Sequence, residues 1–127
     1  MFEEGQVWSY KNRVGEEKST ILILYIEKLD SSLKEDKVIH IAIDNIKIRN
    51  LKNNKKISDG IQHVPLSEKA LKNSILKLEK HNVELPDFRE DYNYWKKAFE
   101  NGEGGVWSVE VAKIIDYTEE TLNINVD

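Results

Sequence analysis

The spacing of hydrophobic residues divides the chain into a first half typical of strands and a second half typical of helices. Strand-like stretches, rich in β-branched and aromatic side chains, lie at residues 5–10, 19–27, 37–43 and 46–48. Polar connections separate them, the longest at 28–36 and the shortest at Asp44-Asn45, where both residue types favour a turn. The pattern predicts three or four antiparallel strands in a meander.

Residues 49–66 complete the first half of the chain, and their hydrophobic residues follow neither a strand-like nor a helical spacing. Residues 49–60 (RNLKNNKKISDG) contain little apolar material and predict a long loop. Residues 61–66 (IQHVPL) predict a short edge strand, because Pro65 disfavours helical backbone at the residue before it and cannot donate to a ladder.

A helical period begins at Ser67, which is a favourable N-cap residue. Leu71, Ile75 and Leu78 follow at positions i, i+4 and i+7, so their side chains would form one apolar stripe. The first helix is therefore predicted from about 68 to 80.

The second predicted helix has the strongest helical pattern in the chain. Asp87 and Glu90 have the spacing of a capping box, and Asn101-Gly102 is a stop signal. Between them runs an aromatic stripe at i, i+4, i+7 and i+11: Phe88, Tyr92, Trp95 and Phe99. The simplest role of this stripe is to pack the helix on the sheet.

A third helix is predicted over 109–122, with Ser108 as its N-cap and with Val111, Ile114 and Ile115 facing inward. Its beginning is ambiguous, because VWSVEV at 106–111 could equally form a strand.

Together these elements predict one α+β domain over residues 1–127. Its twisted antiparallel sheet of about four strands comes from residues 1–66, and three helices within 67–122 are expected to cover one face.

Composition excludes several classes of protein. The 127 residues include no cysteine, so a disulfide framework, a thiol nucleophile and a cysteine zinc site are excluded. The start MFEEGQVWSY is unlike a signal peptide, and the longest apolar run, ILILYI at 21–26, is too short to span a membrane. We therefore expect a cytoplasmic protein that does not enter a membrane.

Charge is distributed unevenly along the chain. Residues 1–78 carry 14 basic and 11 acidic side chains, whereas residues 79–127 carry 5 basic and 12 acidic ones. Such an acidic half either keeps the surface solvated or, if the charge gathers on one face, attracts a basic partner.

Histidines and carboxylates form no catalytic or metal motif in the sequence. None of the three histidines has a second histidine or a carboxylate at metal-ligand spacing, and the paired carboxylates lie in polar turns. The sequence therefore predicts no enzyme, no metal and no cofactor. A small enzyme with a pocket at His40 and His63 remains an alternative that depends on whether the two rings converge.

The leading hypothesis is a non-enzymatic binding protein, of inhibitor or immunity type, that neutralises a basic partner. Aromatic residues surrounded by acidic ones are typical anchors of interfaces. The predicted contacts are Tyr94, Glu100, Glu103 and Trp107. For Trp107 the alternative is a packing role under the third helix.

A second hypothesis is a nucleic-acid-binding or regulatory domain. The segment KIRNLKNNKK at 47–56 has five basic residues and no acidic one: Lys47, Arg49, Lys52, Lys55 and Lys56. Its weakness is that the segment contains no aromatic side chain on which bases could stack.

Four stretches together resemble a family of small uncharacterised bacterial proteins: GQVWSYK, VIHIAIDNIKI, HVPLS and YWKKAFENGEGGVWSV. The resemblance covers most of the chain, suggests a bacterial origin, and implies no activity or cofactor. GQVW alone is also similar to the first strand of SH3-like barrels, including PemK/MazF-type toxins, but the helical second half departs from that pattern.

Overall fold

The computed structural model describes residues 2–29 and 37–124, so the connection predicted at 28–36 falls largely outside the described residues. Five antiparallel strands form the main sheet: β1 Val7–Tyr10, β2 Ile21–Lys28, β3 Lys37–Ile43, β6 Ile61–Ser67 and β7 Ile75–Lys80. A separate antiparallel pair contains β4 Ile48–Arg49 and β5 Lys56–Ser58. The helices are α1 Glu68–Ser74, α2 Arg89–Glu100 and α3 Val111–Asn123. The fold is α+β, as predicted.

The main sheet has the strand order β6-β3-β2-β1-β7. Its centre is the predicted meander of β1, β2 and β3, and β6 is an edge strand, which is the position that Pro65 allows. The prediction of about four strands is wrong by one strand, since β7 pairs with β1 and forms the other edge.

Helices pack on both faces of the sheet, so the prediction that one face carries all three is wrong. Side chains alternate along β3, which places Ile39 and Ile41 on one face and His40 on the other. α1 and α3 cover the isoleucine face, where Leu71 and Ile114 are fully buried with the core. α2 covers the opposite face, with the Trp95 ring 4.9 Å from that of His40. After the edge strand β7, the chain therefore crosses from the face that α1 covers to the face that α2 covers.

The first predicted helix is too long. Ser67 caps it as predicted, since its hydroxyl accepts a hydrogen bond from the Ala70 amide at 3.1 Å, but the helix ends at Ser74. Ile75 is already extended, and β7 continues to Lys80 alongside β1. The free edge of β1 provides hydrogen-bond partners for the backbone N–H and C=O groups of residues 75–80. This tertiary contact outweighs the helical spacing of the local sequence.

The segment 49–60 and the beginning of α2 also differ from the prediction. Residues 49–60 are not a continuous loop, because β4 and β5 form a hairpin within them. α2 begins at Arg89, one residue later than a cap at Asp87 implies, and Asp87 accepts a hydrogen bond from the Arg89 amide instead of forming the capping box. Gly102, with φ of 76°, follows its end as predicted.

In the ambiguous segment 106–111, residues 106–110 belong to no strand and to no helix, and only Val111 is helical. Trp107 makes a single parallel bridge to Leu66 of β6. α3 then begins at Val111 with Glu110 at the N-cap position, so the predicted cap at Ser108 is wrong. Val111, Ile114 and Ile115 are fully buried, as predicted. Among the described residues, every helix is too short or too polar to cross a membrane.

Candidate functional site

A buried cluster of polar side chains lies between the sheet and α2. Glu27, near the end of β2, is only 7% exposed, and both of its carboxylate oxygens are bound. One oxygen accepts a hydrogen bond from His40 Nε2 at 3.0 Å. The other accepts from the Tyr92 hydroxyl at 2.8 Å and from the Lys96 ammonium group at 2.6 Å. A carboxylate with three donors is a stable anion at this depth.

The two histidines converge. His40 on β3 is fully buried, and its Nδ1 lies 2.8 Å from Nε2 of His63 on β6. The rings stack with their centroids 5.0 Å apart and their planes 10° from parallel. The two rings therefore converge, in a buried cluster beneath α2.

Hydrogen-bond logic assigns the protons along this chain of groups. An ionised Glu27 only accepts, so His40 Nε2 carries a proton. A neutral His40 then has a bare Nδ1, which accepts from the Nε2–H of His63, and the lone pair remains on His63 Nδ1. Among the described residues, every fully buried side-chain nitrogen has a hydrogen-bond partner. His63 Nδ1 has no partner there, so this atom is not fully buried and reaches solvent. The arrangement can accept a proton or a hydrogen bond there.

Electrostatics keep these groups in the assigned states at neutral pH. Burial lowers the pKa of His40, although the Glu27 hydrogen bond opposes it. Burial and the neighbouring His40 lower the pKa of His63 to about 4. Burial alone would raise the pKa of Glu27, but hydrogen bonds from Lys96, Tyr92 and His40 hold it below its usual value. Burial and the Glu27 carboxylate raise the pKa of the Tyr92 hydroxyl.

The predicted aromatic stripe of α2 forms the roof of this cluster. Trp95 is buried against both imidazoles and donates from Nε1 to the Gly105 carbonyl at 2.9 Å. Tyr92 packs edge-on against His40. The roles of Glu27 and Lys96 in this cluster were not predicted. Two signals were available: an acid directly after an apolar strand, and a lysine one turn beyond Tyr92.

The outward side of α2 and the loop after it form a surface that we call the α2 face, residues 89–103. Tyr94 is its most prominent apolar side chain, 82% exposed. Four carboxylates of the same segment are also exposed and have no ion-pair or hydrogen-bond partner among the described residues: Glu90, Asp91, Glu100 and Glu103.

Ion pairs within the protein concentrate negative charge on this face. Arg89 is bound by Asp87 at 3.0 Å and Lys96 by Glu27 at 2.6 Å. Lys97 is the remaining cation of the α2 face in the described structure, against four unpaired carboxylates. The surface is therefore more acidic than its sequence suggests.

The opposite happens on α3. Asp116 and Glu119 both bind the guanidinium of Arg13, at 3.2 and 3.1 Å. Arg13 also binds the buried Glu16 at 2.7 Å, and these partners raise its pKa despite partial burial. Two acids of α3 therefore have a cationic partner, whereas the four acids of the α2 face have none among the described residues.

The structure separates the four predicted partner contacts. Tyr94, Glu100 and Glu103 are exposed together on the α2 face. Trp107 instead packs against the core on the α3 side, where its ring stacks on Tyr117 with centroids 6.0 Å apart. It therefore has the packing role that the sequence offered as the alternative.

The five predicted nucleic-acid contacts are all exposed on or beside the β4–β5 hairpin. This hairpin is anchored to α3, since the Arg49 amide donates to Glu119 and the Leu51 amide donates to Asn123. The basic residues therefore lie on the side of the sheet away from α2, and they share no surface with Tyr94.

Within the described ranges 2–29 and 37–124, no three histidine, aspartate or glutamate side chains are placed to hold a metal ion. Comparison with family models, with curated proteins and with solved structures gives no match to this chain.

Proposed function

We propose that the protein is a non-enzymatic binding protein of the bacterial cytoplasm, of inhibitor or immunity type, and that its α2 face docks onto a basic protein. The observation that carries the proposal is that residues 89–103 expose Tyr94 together with four carboxylates that have no ion-pair partner in the described structure. An exposed tyrosine offers a large contact at low entropic cost, and the carboxylates speed association with a positive surface.

The buried cluster contributes rigidity to this surface. Glu27 and the two histidines fix the inner side of α2, so its outer side is presented in one orientation before a partner arrives. A preorganised surface loses less conformational entropy on binding, which raises affinity.

Affinity capture from the native host with matched variants tests the proposal. The wild type, Tyr94→Ala and the double reversal Glu100→Lys/Glu103→Lys are immobilised in parallel, with Glu120→Lys on α3 as the control. We expect one basic protein to be retained by the wild type and by Glu120→Lys, and to be lost with the other two variants. Retention of the same partner by the double reversal at low salt would refute the assignment of the α2 face.

A second candidate function is supported by the convergence of His40 and His63 at 2.8 Å. In a general-base hydrolase, water would attack an ester carbonyl while His63 Nδ1 takes its proton. The ester C–O bond would then break as the protonated His63 returns that proton to the leaving oxygen, which releases the alcohol and the acid. Hydrolysis of p-nitrophenyl acetate tests this idea. A rate that falls in His63→Gln and not in His81→Gln supports the enzyme, and equal rates in all three proteins exclude it.

A further inference from the structure

The cleft beside the β4–β5 hairpin has a chemistry that the α2 face does not explain. Its volume is about 790 Å³, which is in the range of ligand-binding clefts. Four cations line it, Lys18 from the turn after β1 and Lys47, Arg49 and Lys56 from the hairpin region. These residues come from separate segments of the chain and meet only in the fold.

Most of the acidic groups in the cleft are already neutralised. Glu16 is buried and held by Arg13 and by the Lys47 amide, the latter at 2.7 Å. Asp59 pairs with Lys56 at 3.8 Å. Glu17 remains as an exposed acid without a partner in the described structure, against Lys18, Lys47 and Arg49, none of which has a carboxylate within ion-pair distance. The cleft therefore offers net positive charge to a ligand.

The positive charge continues out of the cleft along the hairpin. Lys52 and Lys55 lie in the turn between β4 and β5, fully outside the cleft lining and exposed. The turn is well defined, because the Asn50 and Lys55 backbones bond at 2.8 Å and Asn54 adopts a left-handed conformation with φ of 60°. A row of cations that extends beyond one cleft suits a polyanion better than an isolated phosphate.

We propose that this cleft and the adjoining basic ribbon, residues 47–56, bind the phosphate backbone of a nucleic acid. A two-stranded ribbon has the width to enter the major groove of a duplex, and exposed lysines contact phosphates there. The ribbon contains no aromatic residue, so recognition rests on backbone charge and is independent of base sequence. The site lies away from the α2 face, so the two can be occupied together.

Fluorescence anisotropy with a labelled 20-base-pair DNA duplex tests the proposal. Binding is measured between 50 and 300 mM salt for the wild type, Lys18→Glu/Lys47→Glu in the cleft, and Lys52→Glu/Lys55→Glu in the turn. Lys77→Glu/Lys113→Glu, at exposed lysines on β7 and α3, carries the same charge change and serves as the control. The far-ultraviolet circular dichroism of each variant verifies the fold.

We expect the affinity of the wild type to fall with salt, with a log–log slope of about −3 to −4. Each ribbon or cleft variant should bind at least tenfold more weakly at 50 mM salt, and its slope should become smaller in magnitude by about 2. The control should stay within threefold of the wild type. A slope near zero, equal weakening by the control, or full competition by 1 mM inorganic phosphate would overturn the proposal of a polyanion site.

Discussion

The substitution Glu27→Gln tests whether the buried cluster holds α2 on the sheet. The carboxylate accepts three hydrogen bonds, and an amide of the same size keeps one acceptor oxygen while turning a donor toward the remaining groups. Losing a hydrogen bond from a buried neutral donor to a charged acceptor costs about 1.5–3 kcal/mol. Lys96 is partly exposed and returns to water, so its loss adds less than about 1 kcal/mol.

The expected loss in the free energy of unfolding is therefore about 3 kcal/mol, a large part of what a domain of this size has. Urea denaturation followed by circular dichroism measures it, with Glu90→Gln as the control, because Glu90 is exposed on the same helix and has no partner in the described structure. The control should change stability by less than about 0.5 kcal/mol. If Glu27→Gln changes it as little as the control does, the cluster does not hold α2.

Three further outcomes follow from the same contacts. Stability should fall by about 2 kcal/mol as the pH drops from 7 toward 4, because the lowered pKa of His63, about 4, lets the unfolded chain bind protons first. The lowered pKa values of His40 and Glu27 add to this dependence, so the urea midpoint of His63→Gln should fall less steeply than that of the wild type over the same window, and an unchanged slope would contradict this. Ser67→Ala should cost about 1 kcal/mol by removing the cap of α1, with Ser67→Asn as a rescue that should restore most of it. Gly104→Ala should lower the melting temperature, because the new Cβ would lie 2.9 Å from the Phe99 amide nitrogen, while Gly105→Ala, which has open space, should not.

Local patterns predicted those elements whose environment is set by their own residues. The β-branched, apolar run at 37–43 predicted β3 with its observed bounds, and the aromatic stripe predicted which side of α2 faces the sheet. β7 was not predictable in this way. Leu71, Ile75 and Leu78 have helical spacing, and the strand forms only because β1, more than sixty residues away in the sequence, offers its edge.

The polar cluster could not be derived from the sequence for a related reason. His40 and His63 meet through the pairing of β3 with β6, which places His40 opposite Pro65. Glu27 reaches them from β2 after an irregularity in the register between Ile23 and Tyr25. A shift by one residue would turn each of these side chains to the other face, so the cluster depends on register that local spacing does not specify.

The acidity of the α2 face also depends on contacts distant in sequence. The excess of carboxylates in the second half was visible in the composition, but its location was not. The single charge of Arg13 is shared among Glu16 and two acids of α3 and offsets them in part, and Glu27 removes a cation from α2. These two residues help to decide which surface keeps its negative charge, and that surface is where we propose the partner docks.

Carbodiimide footprinting of the captured complex tests the central proposal most directly. The reagent labels exposed carboxylates, and mass spectrometry compares the free protein with the complex. Binding at the α2 face predicts that labelling of Glu90, Glu100 and Glu103 falls at least fivefold in the complex, while Glu120 on α3 is labelled equally in both. Unchanged labelling of these three residues, or protection of Glu120 in their place, would contradict the account.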